Sequence, residues 1–210
     1  MKHGLSLLLL VAVVTAVPTI VHAQDAGPSV RGYAALGTTA FTAADTFEAV
    51  AGTTRRMNVG GGVSATLWKG LFADMSLSQV QLDGERIFID EASVYPLGIP
   101  LQVTMRPFDV AGGWRMRGGR LSPYVGAGIS RVSYKETSSF AGQGDDVSGS
   151  GVGALVLAGA DVALTRWLHL GAEVRYRNVE NVLGTAGASA AFGDRSLGGL
   201  ATSFRASVGR

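Results

Sequence analysis

The fold is decided by the stretch "WLHLGAEVRYRNV", residues 167–179. Leu168, Leu170, Ala172, Val174 and Tyr176 occupy one parity, and His169, Glu173, Arg175 and Arg177 occupy the other. A β-strand sends successive side chains to opposite faces, so this is a strand with one apolar and one charged face. The medium that covers the apolar face determines what kind of sheet the strand belongs to.

The same grammar recurs along the chain. "VRGYAALGTTAF" (30–41), "MNVGGGVSATLW" (57–68), "LFADMSLSQVQL" (71–82) and "RPFDVAGGWRM" (106–116) read as strands. So do "LSPYVGAGISRVSY" (121–134), "VGALVLAGADVAL" (152–164), "LHLGAEVRYRNV" (168–179) and "GLATSFRASVG" (199–209). Each is close to the roughly 9–11 residues that a tilted strand needs to cross a bilayer. No helical period of useful length is legible beyond residue 23. The connections alternate in length: Lys69-Gly70, 117–120 and Thr165-Arg166-Trp167 are tight turns, whereas 42–56, 83–105, 135–151 and 180–198 are long. Short turns at one end and long loops at the other are the signature of an up-and-down barrel set in a membrane.

Parity says which face meets lipid. Ala73, Met75 and Leu77 oppose Asp74, Ser76 and Ser78, and Val110, Trp114 and Met116 oppose Asp109 and Arg115. Val156, Ala158, Ala160, Val162 and Leu164 oppose Gly159 and Asp161, and Leu200, Phe204, Ala206 and Val208 oppose Ser203, Arg205 and Ser207. A water-surrounded barrel would carry many Lys and Glu residues outside. Here the polar face consists of small residues and a few charges of both signs, which suits a narrow, crowded interior. The fold expected is therefore all-β: an eight-stranded antiparallel up-and-down transmembrane β-barrel. Trp68, Trp114 and Trp167 lie at or near short turns, with Phe72 and Tyr124 close by. This clustering predicts an interfacial aromatic girdle at that end.

Composition fits this reading. Apolar residues make up 47% of the chain and charged residues 16%, with 30 Gly and no Cys. Disulfides and thiolate metal sites are thereby excluded. A formal net charge of only +2 gives no electrostatic case for nucleic-acid binding. The N-terminus, "MKHGLSLLLLVAVVTAVPTIVHAQ", has a basic start, a short apolar core and small residues before Gln24. It is expected to be a cleaved signal peptide over 1–23, followed by a short segment, 24–29, and the barrel proper, 30–210.

At "LSPYVGAGIS" (121–130) and "LGGLATSFRASVGR" (197–210) the chain resembles the small outer-membrane β-barrel family, the eight-stranded OmpA/OmpX type. The resemblance covers residues from about Ser29 onward. It implies residence in the outer membrane of a Gram-negative bacterium, contact with outer-membrane lipid and lipopolysaccharide, and insertion by the barrel-assembly machinery. Family members typically end in an aromatic residue; here the aromatic nearest to Arg210 is Phe204. No peptidoglycan-binding domain is expected after the last strand.

The chemistry-bearing residues support a structural interior. Asp74, Asp109, Asp161 and Glu173 share the inward face with Arg115, Arg175, Arg177 and Arg205, a set suited to a buried ion-pair network or, alternatively, to the lining of an ion path. His169 shares a face with Glu173, but no nucleophile and orienting group are legible around it, so no catalytic site is expected. "VGGGV" and "GSGVG" lack the following helix and the Lys or Ser/Thr of phosphate loops, so no cofactor or metal site is expected either. In the long loops acids outnumber bases 11 to 5. The second loop carries Ile87, Phe88, Ile89, Val94, Tyr95, Leu97 and Ile99, a candidate interaction segment that could also extend the strands or cover the barrel mouth. The function expected is structural or surface-interacting, with an unknown extracellular partner. The alternatives are a porin-like passive route for small hydrophobic solutes and, more remotely, a lipid-modifying enzyme.

Overall fold

The computed structural model describes residues 28–90, 93–117, 119–138, 147–180, 182 and 192–209. The expected signal peptide lies outside them. Eight strands, β1 (Ser29–Phe41), β2 (Arg55–Thr66), β3 (Leu71–Asp90), β4 (Ser93–Arg115), β5 (Leu121–Thr137), β6 (Val147–Ala163), β7 (Leu168–Val179) and β8 (Leu197–Gly209), pair in chain order into one closed barrel. All pairings are antiparallel, and the ring is sealed by β1 on β8, from Arg31 opposite Gly209 to Phe41 opposite Gly199. Within the ring, closure leaves no unpaired edge, which is what hydrocarbon demands of a sheet.

β7 answers the question of faces. His169, Glu173, Arg175 and Arg177 are buried, whereas Leu170, Val174 and Tyr176 are 46%, 39% and 43% exposed. The apolar parity is on the outside, where lipid replaces water. Above this band the pattern inverts. Along β3 the outward residues change from Met75 and Leu77 to Gln79, Gln81 and Asp83, and along β4 from Val110 and Phe108 to Arg106, Thr104 and Gln102. The inward residues at the same heights change from Asp74 and Asp109 to Val80, Leu82, Leu101, Val103 and Met105. These form a buried apolar cluster with Phe41, Phe47, Val132, Val179 and Leu197. The upper barrel is thus built like a soluble protein, apolar inside and polar outside, and the inversion marks where the strands leave the hydrocarbon.

Two sequence expectations are corrected. The segment 83–105 is not a loop: β3 and β4 continue pairing to Asp90 opposite Ser93, across a bulge between Glu85 and Ile87. Its Ile, Phe, Val and Tyr residues favour a pleated conformation wherever a neighbouring strand is available. A helix, α1 (Ala44–Ala51), also occupies the first long connection, where no helical period is legible. Two turns are too short for periodicity to register, and tertiary contacts hold it. The Asp194 carboxylate accepts hydrogen bonds from the Thr46 backbone N–H (3.2 Å) and hydroxyl (2.6 Å) in the first turn. Gly52, at φ 63°, closes the other end by donating its N–H to the Glu48 carbonyl. Phe47 thereby reaches the apolar cluster, its ring 4.3 Å from that of Phe41.

The inversion can be tested by paired substitutions. Leu82 is fully buried and its neighbour Gln81 faces out. Leu82→Ala should cost about 2–5 kcal/mol in urea unfolding from vesicles, and Gln81→Ala should change stability by no more than about 0.5 kcal/mol. Equal costs would mean that the upper layer is not an apolar core.

Candidate functional site: the charged lumen

Below the apolar cluster, inward positions of β1, β3, β4, β5, β7 and β8 converge on a ring of charges. Arg175 is at its centre. Its guanidinium donates to Glu173 Oε1 (2.5 Å), Asp74 Oδ1 (2.9 Å), Asp109 Oδ2 (3.0 Å), Ser76 Oγ (2.5 Å) and Tyr33 Oη (2.9 Å). Arg177 donates to the same Asp109 carboxylate (2.6 Å), which also accepts from Ser130 Oγ (2.6 Å). Arg205 donates to Glu173 Oε2 (2.6 Å) and Tyr124 Oη (2.9 Å), and its guanidinium lies 3.7 Å from the centre of the Tyr33 ring. Charge-assisted bonds of this kind are the strong ones, and each carboxylate here serves more than one donor.

Nearer the short turns the packing is looser. Arg115 Nη2 lies 3.4 Å from Asp161 Oδ2, and Arg31 Nη1 lies 3.9 Å from the same oxygen. Arg115 also stacks over Tyr124 and Phe72, at 4.8 and 5.4 Å from the ring centres. All eight charged residues singled out from the sequence (Asp74, Asp109, Arg115, Asp161, Glu173, Arg175, Arg177 and Arg205) are buried inside the barrel. Arg31, Tyr33, Ser76 and Ser130 belong to the same network. Their signal is present in the sequence: Arg31 and Tyr33 share parity opposite Val30, Ala34 and Leu36.

The aromatic girdle needs correction. Trp114 and Trp167 are exposed on the outer surface near the short turns. Trp68, 70% exposed, sits in a 3-10 turn, Trp68–Gly70, where strand parity does not apply. Phe72 and Tyr124 do not join them: both are buried in the lumen, edge to face at 5.8 Å. Phe72 shares parity with Asp74, and the pleat overrides proximity to the turn. Register makes room for the rings. Phe72, Tyr124 and Tyr33 lie opposite Gly113, Gly159 and Gly62, respectively. A Cβ on Gly159 would stand 2.5 Å from Tyr124 Oη, and one on Gly62 would stand 2.8 Å from Tyr33 Oη.

His169 is buried at the short-turn end, paired with Ser207 on β8 and with Ala163 on β6, two residues from the inward Asp161. Ser, His and Asp are therefore neighbours, but no hydrogen bond links them: Ser207 Oγ and His169 Nδ1 have no partner among the described residues, and Asp161 faces Arg115. A nucleophile and its base need a hydrogen bond of about 2.6–3.2 Å. A small cavity lined by Asn58, Ser76, Ser78, Arg175, Arg177 and Ser203 lies within the ring. In the β3–β4 extension, Tyr95 and Leu97 are exposed and Ile99 is half-buried. The side chains of Ile87, Phe88, Ile89 and Val94 lie outside the described residues.

A closed antiparallel ring, apolar towards lipid and ion-paired within, defines a small membrane-spanning β-barrel. The chain belongs to the outer membrane protein beta-barrel domain family, whose model matches residues 6–204. Among solved structures it is similar to the Neisserial surface protein A, with 15% identity and a TM-score of 0.55, covering 88% of this chain and 98% of that one. It is also similar to Ail of Yersinia pestis (13%, TM-score 0.52, 87% and 97%) and to a major outer membrane protein of Thermus thermophilus (11%, TM-score 0.53, 88% and 100%). No curated protein matches it.

The network implies a steep cost for breaking it. Arg175→Met should lose about 3–5 kcal/mol in urea unfolding, because Asp74 and Glu173 would be left as buried carboxylates short of a cation. Gly159→Val should cost about 1–3 kcal/mol through overpacking against Tyr124 and should alter the near-ultraviolet circular dichroism of the aromatic rings. A Gly159→Val barrel with unchanged stability and spectrum would show that the ring is not held against β6.

Proposed function

We propose that the protein is a non-enzymatic outer-membrane barrel with a plugged lumen, acting structurally or through its extracellular connections. It is exported by a signal peptide cleaved after residue 23 and inserted by the barrel-assembly machinery, and it contacts lipopolysaccharide. The observation that carries this reading is the double filling of the interior. The Arg175-centred ring spans the lumen, and the apolar cluster with Phe47 of α1 lies directly above it. An eight-stranded ring is just wide enough for side chains to fill it, so two successive layers support a lumen closed to water. His169, Ser207 and Asp161 are enclosed and unlinked, which argues against the lipid-modifying alternative.

Recognition falls to the long connections. Ail has been solved in complex with the heparin analogue sucrose octasulfate. The acidic excess in the loops of this chain disfavours a polyanion and favours an apolar or cationic partner surface at the β3–β4 extension, where Tyr95 and Leu97 are exposed. One observation favours the runner-up, a route for small hydrophobic solutes: the upper lumen is apolar. Planar-bilayer recording on the refolded chain separates these readings. The plugged barrel should give no discrete conductance steps and no uptake of hydrophobic solutes into vesicles, before or after Arg175→Ala weakens the lower layer. Stepwise conductance or solute uptake by the unmodified protein would overturn the plug.

A further inference from the structure

The inward level nearest the short turns is held together less completely than the Arg175 ring. It is built from Arg31 on β1, Thr66 on β2, Arg115 on β4, Asp161 on β6, His169 on β7 and Ser207 on β8. Register gathers them. His169 lies opposite Ser207 and diagonal to Asp161, and Arg31 is diagonal to both Ser207 and Thr66. Asp161 Oδ2 lies 3.4 Å from Arg115 Nη2 and 3.9 Å from Arg31 Nη1, so two guanidiniums flank one carboxylate. Arg115 lies against the rings of Phe72 and Tyr124, and the Tyr124 hydroxyl donates to Glu173 in the ring above. Thr66, Arg115, Asp161, His169 and Ser207 are each more than nine-tenths buried. Yet among the described residues Nε and Nη1 of both Arg31 and Arg115 have no hydrogen-bond partner. The same holds for His169 Nδ1, for the Thr66 and Ser207 hydroxyls and for both Asp161 oxygens.

Donors exceed acceptors at this level. Guanidinium nitrogens only donate, hydroxyls and imidazole can donate, and Asp161 is the carboxylate they share. Two cations face one anion, and a buried donor without an acceptor is costly. A water molecule brings two donors of its own and no charge. An oxyanion brings acceptors alone, together with the missing negative charge, and guanidinium matches its geometry with paired, charge-assisted bonds. We propose that this level is a binding site for a small soluble oxyanion of the phosphate type. Arg31 and Arg115 supply the charge, and His169, Thr66 and Ser207 supply neutral donors from the strands beside Arg31 and beyond. The anion enters from the short-turn mouth, where the Arg31 side chain is 17% exposed. The donors are inward, so phosphate on a lipid headgroup at the outer wall is kept from them. The site goes beyond the structural role proposed above and requires only the closed ring.

Calorimetric titration of inorganic phosphate into the full chain, refolded in uncharged maltoside micelles, tests the site. The unmodified barrel should bind one phosphate saturably, and chloride at the same concentration should not displace it. R31Q should weaken binding about tenfold or more, through loss of a charged donor, and S207A about threefold to tenfold, through loss of a neutral one. R166Q, which removes an exposed cation from the adjoining β6–β7 turn, should bind as the unmodified protein does. Phosphatidic acid added to the micelles should not compete. The site is overturned if no saturable binding occurs, if folded R31Q or S207A binds as tightly as the unmodified chain, or if R166Q weakens binding as much as R31Q. It is equally overturned if chloride displaces phosphate, or if phosphatidic acid does so, which would make a lipid headgroup the source. S207A removes only a hydroxyl and keeps the test open should R31Q fail to fold. Absence of any heat-modifiable band would overturn the barrel reading and take this inference with it; a heat-modifiable band without phosphate binding overturns the inference alone.

Discussion

A sheet in hydrocarbon has to satisfy every backbone N–H and C=O within itself, and the rest of this structure follows from that demand. The ladder of β1 on β8 removes the last free edge. With eight strands the ring is narrow, so each inward side chain meets side chains from the opposite wall. Arg175 on β7 touches Tyr33 of β1, Asp74 and Ser76 of β3 and Asp109 of β4, reaching across the lumen. A charge placed there needs partners from several strands at once, and the sequence provides hydroxyls as well as carboxylates.

Two kinds of filling follow from two kinds of surroundings. Where the outer surface lies in lipid, the outer residues are apolar, and the interior takes the polar groups and pairs them. Above the lipid edge the outer surface meets water, so Gln81, Asp83 and Gln102 face out and Leu82, Leu101 and Val103 face in. The same strands carry both patterns in one register, Leu77 opposite Phe108 below the change and Val80 opposite Met105 above it. Side-chain parity, not backbone geometry, changes meaning at that height. Phe47 of α1 completes the apolar layer from above, held by Asp194 at the helix N-terminus, so a short helix with little intrinsic stability becomes part of the core.

Parity makes the architecture legible, because it needs only neighbouring residues. The eight strands, the alternation of turns and long connections and the inward charges can all be read from local pattern. The reading fails where proximity competes with parity, or where partners lie far apart in the chain. Phe72 and Tyr124 sit near turns, as the tryptophans do, yet Phe72 alternates in step with Asp74. The role of Asp194 in holding α1 spans 148 positions in sequence, so no local pattern announces it. The pairing of Tyr33, Phe72 and Tyr124 with Gly62, Gly113 and Gly159 depends on register, which single strands do not reveal. The β3–β4 extension has the right residues for strands but exceeds the length a bilayer requires, and that excess length is what makes it look like a loop.

The placement of charge ties these layers together. In the lower lumen, among the described residues, Arg31, Arg115, Arg175, Arg177 and Arg205 face Asp74, Asp109, Asp161 and Glu173, and Arg31, nearest the short turns, has its side chain 17% exposed. Deep in the lumen an unpaired charge would cost several kcal/mol, so pairing is nearly complete where solvent is absent. On the outer wall no such penalty applies, and among the described residues Arg106 and Arg131 form no ion pair with a carboxylate. Charges that hold the fold are therefore neutralised within the barrel, where the partners come from facing strands.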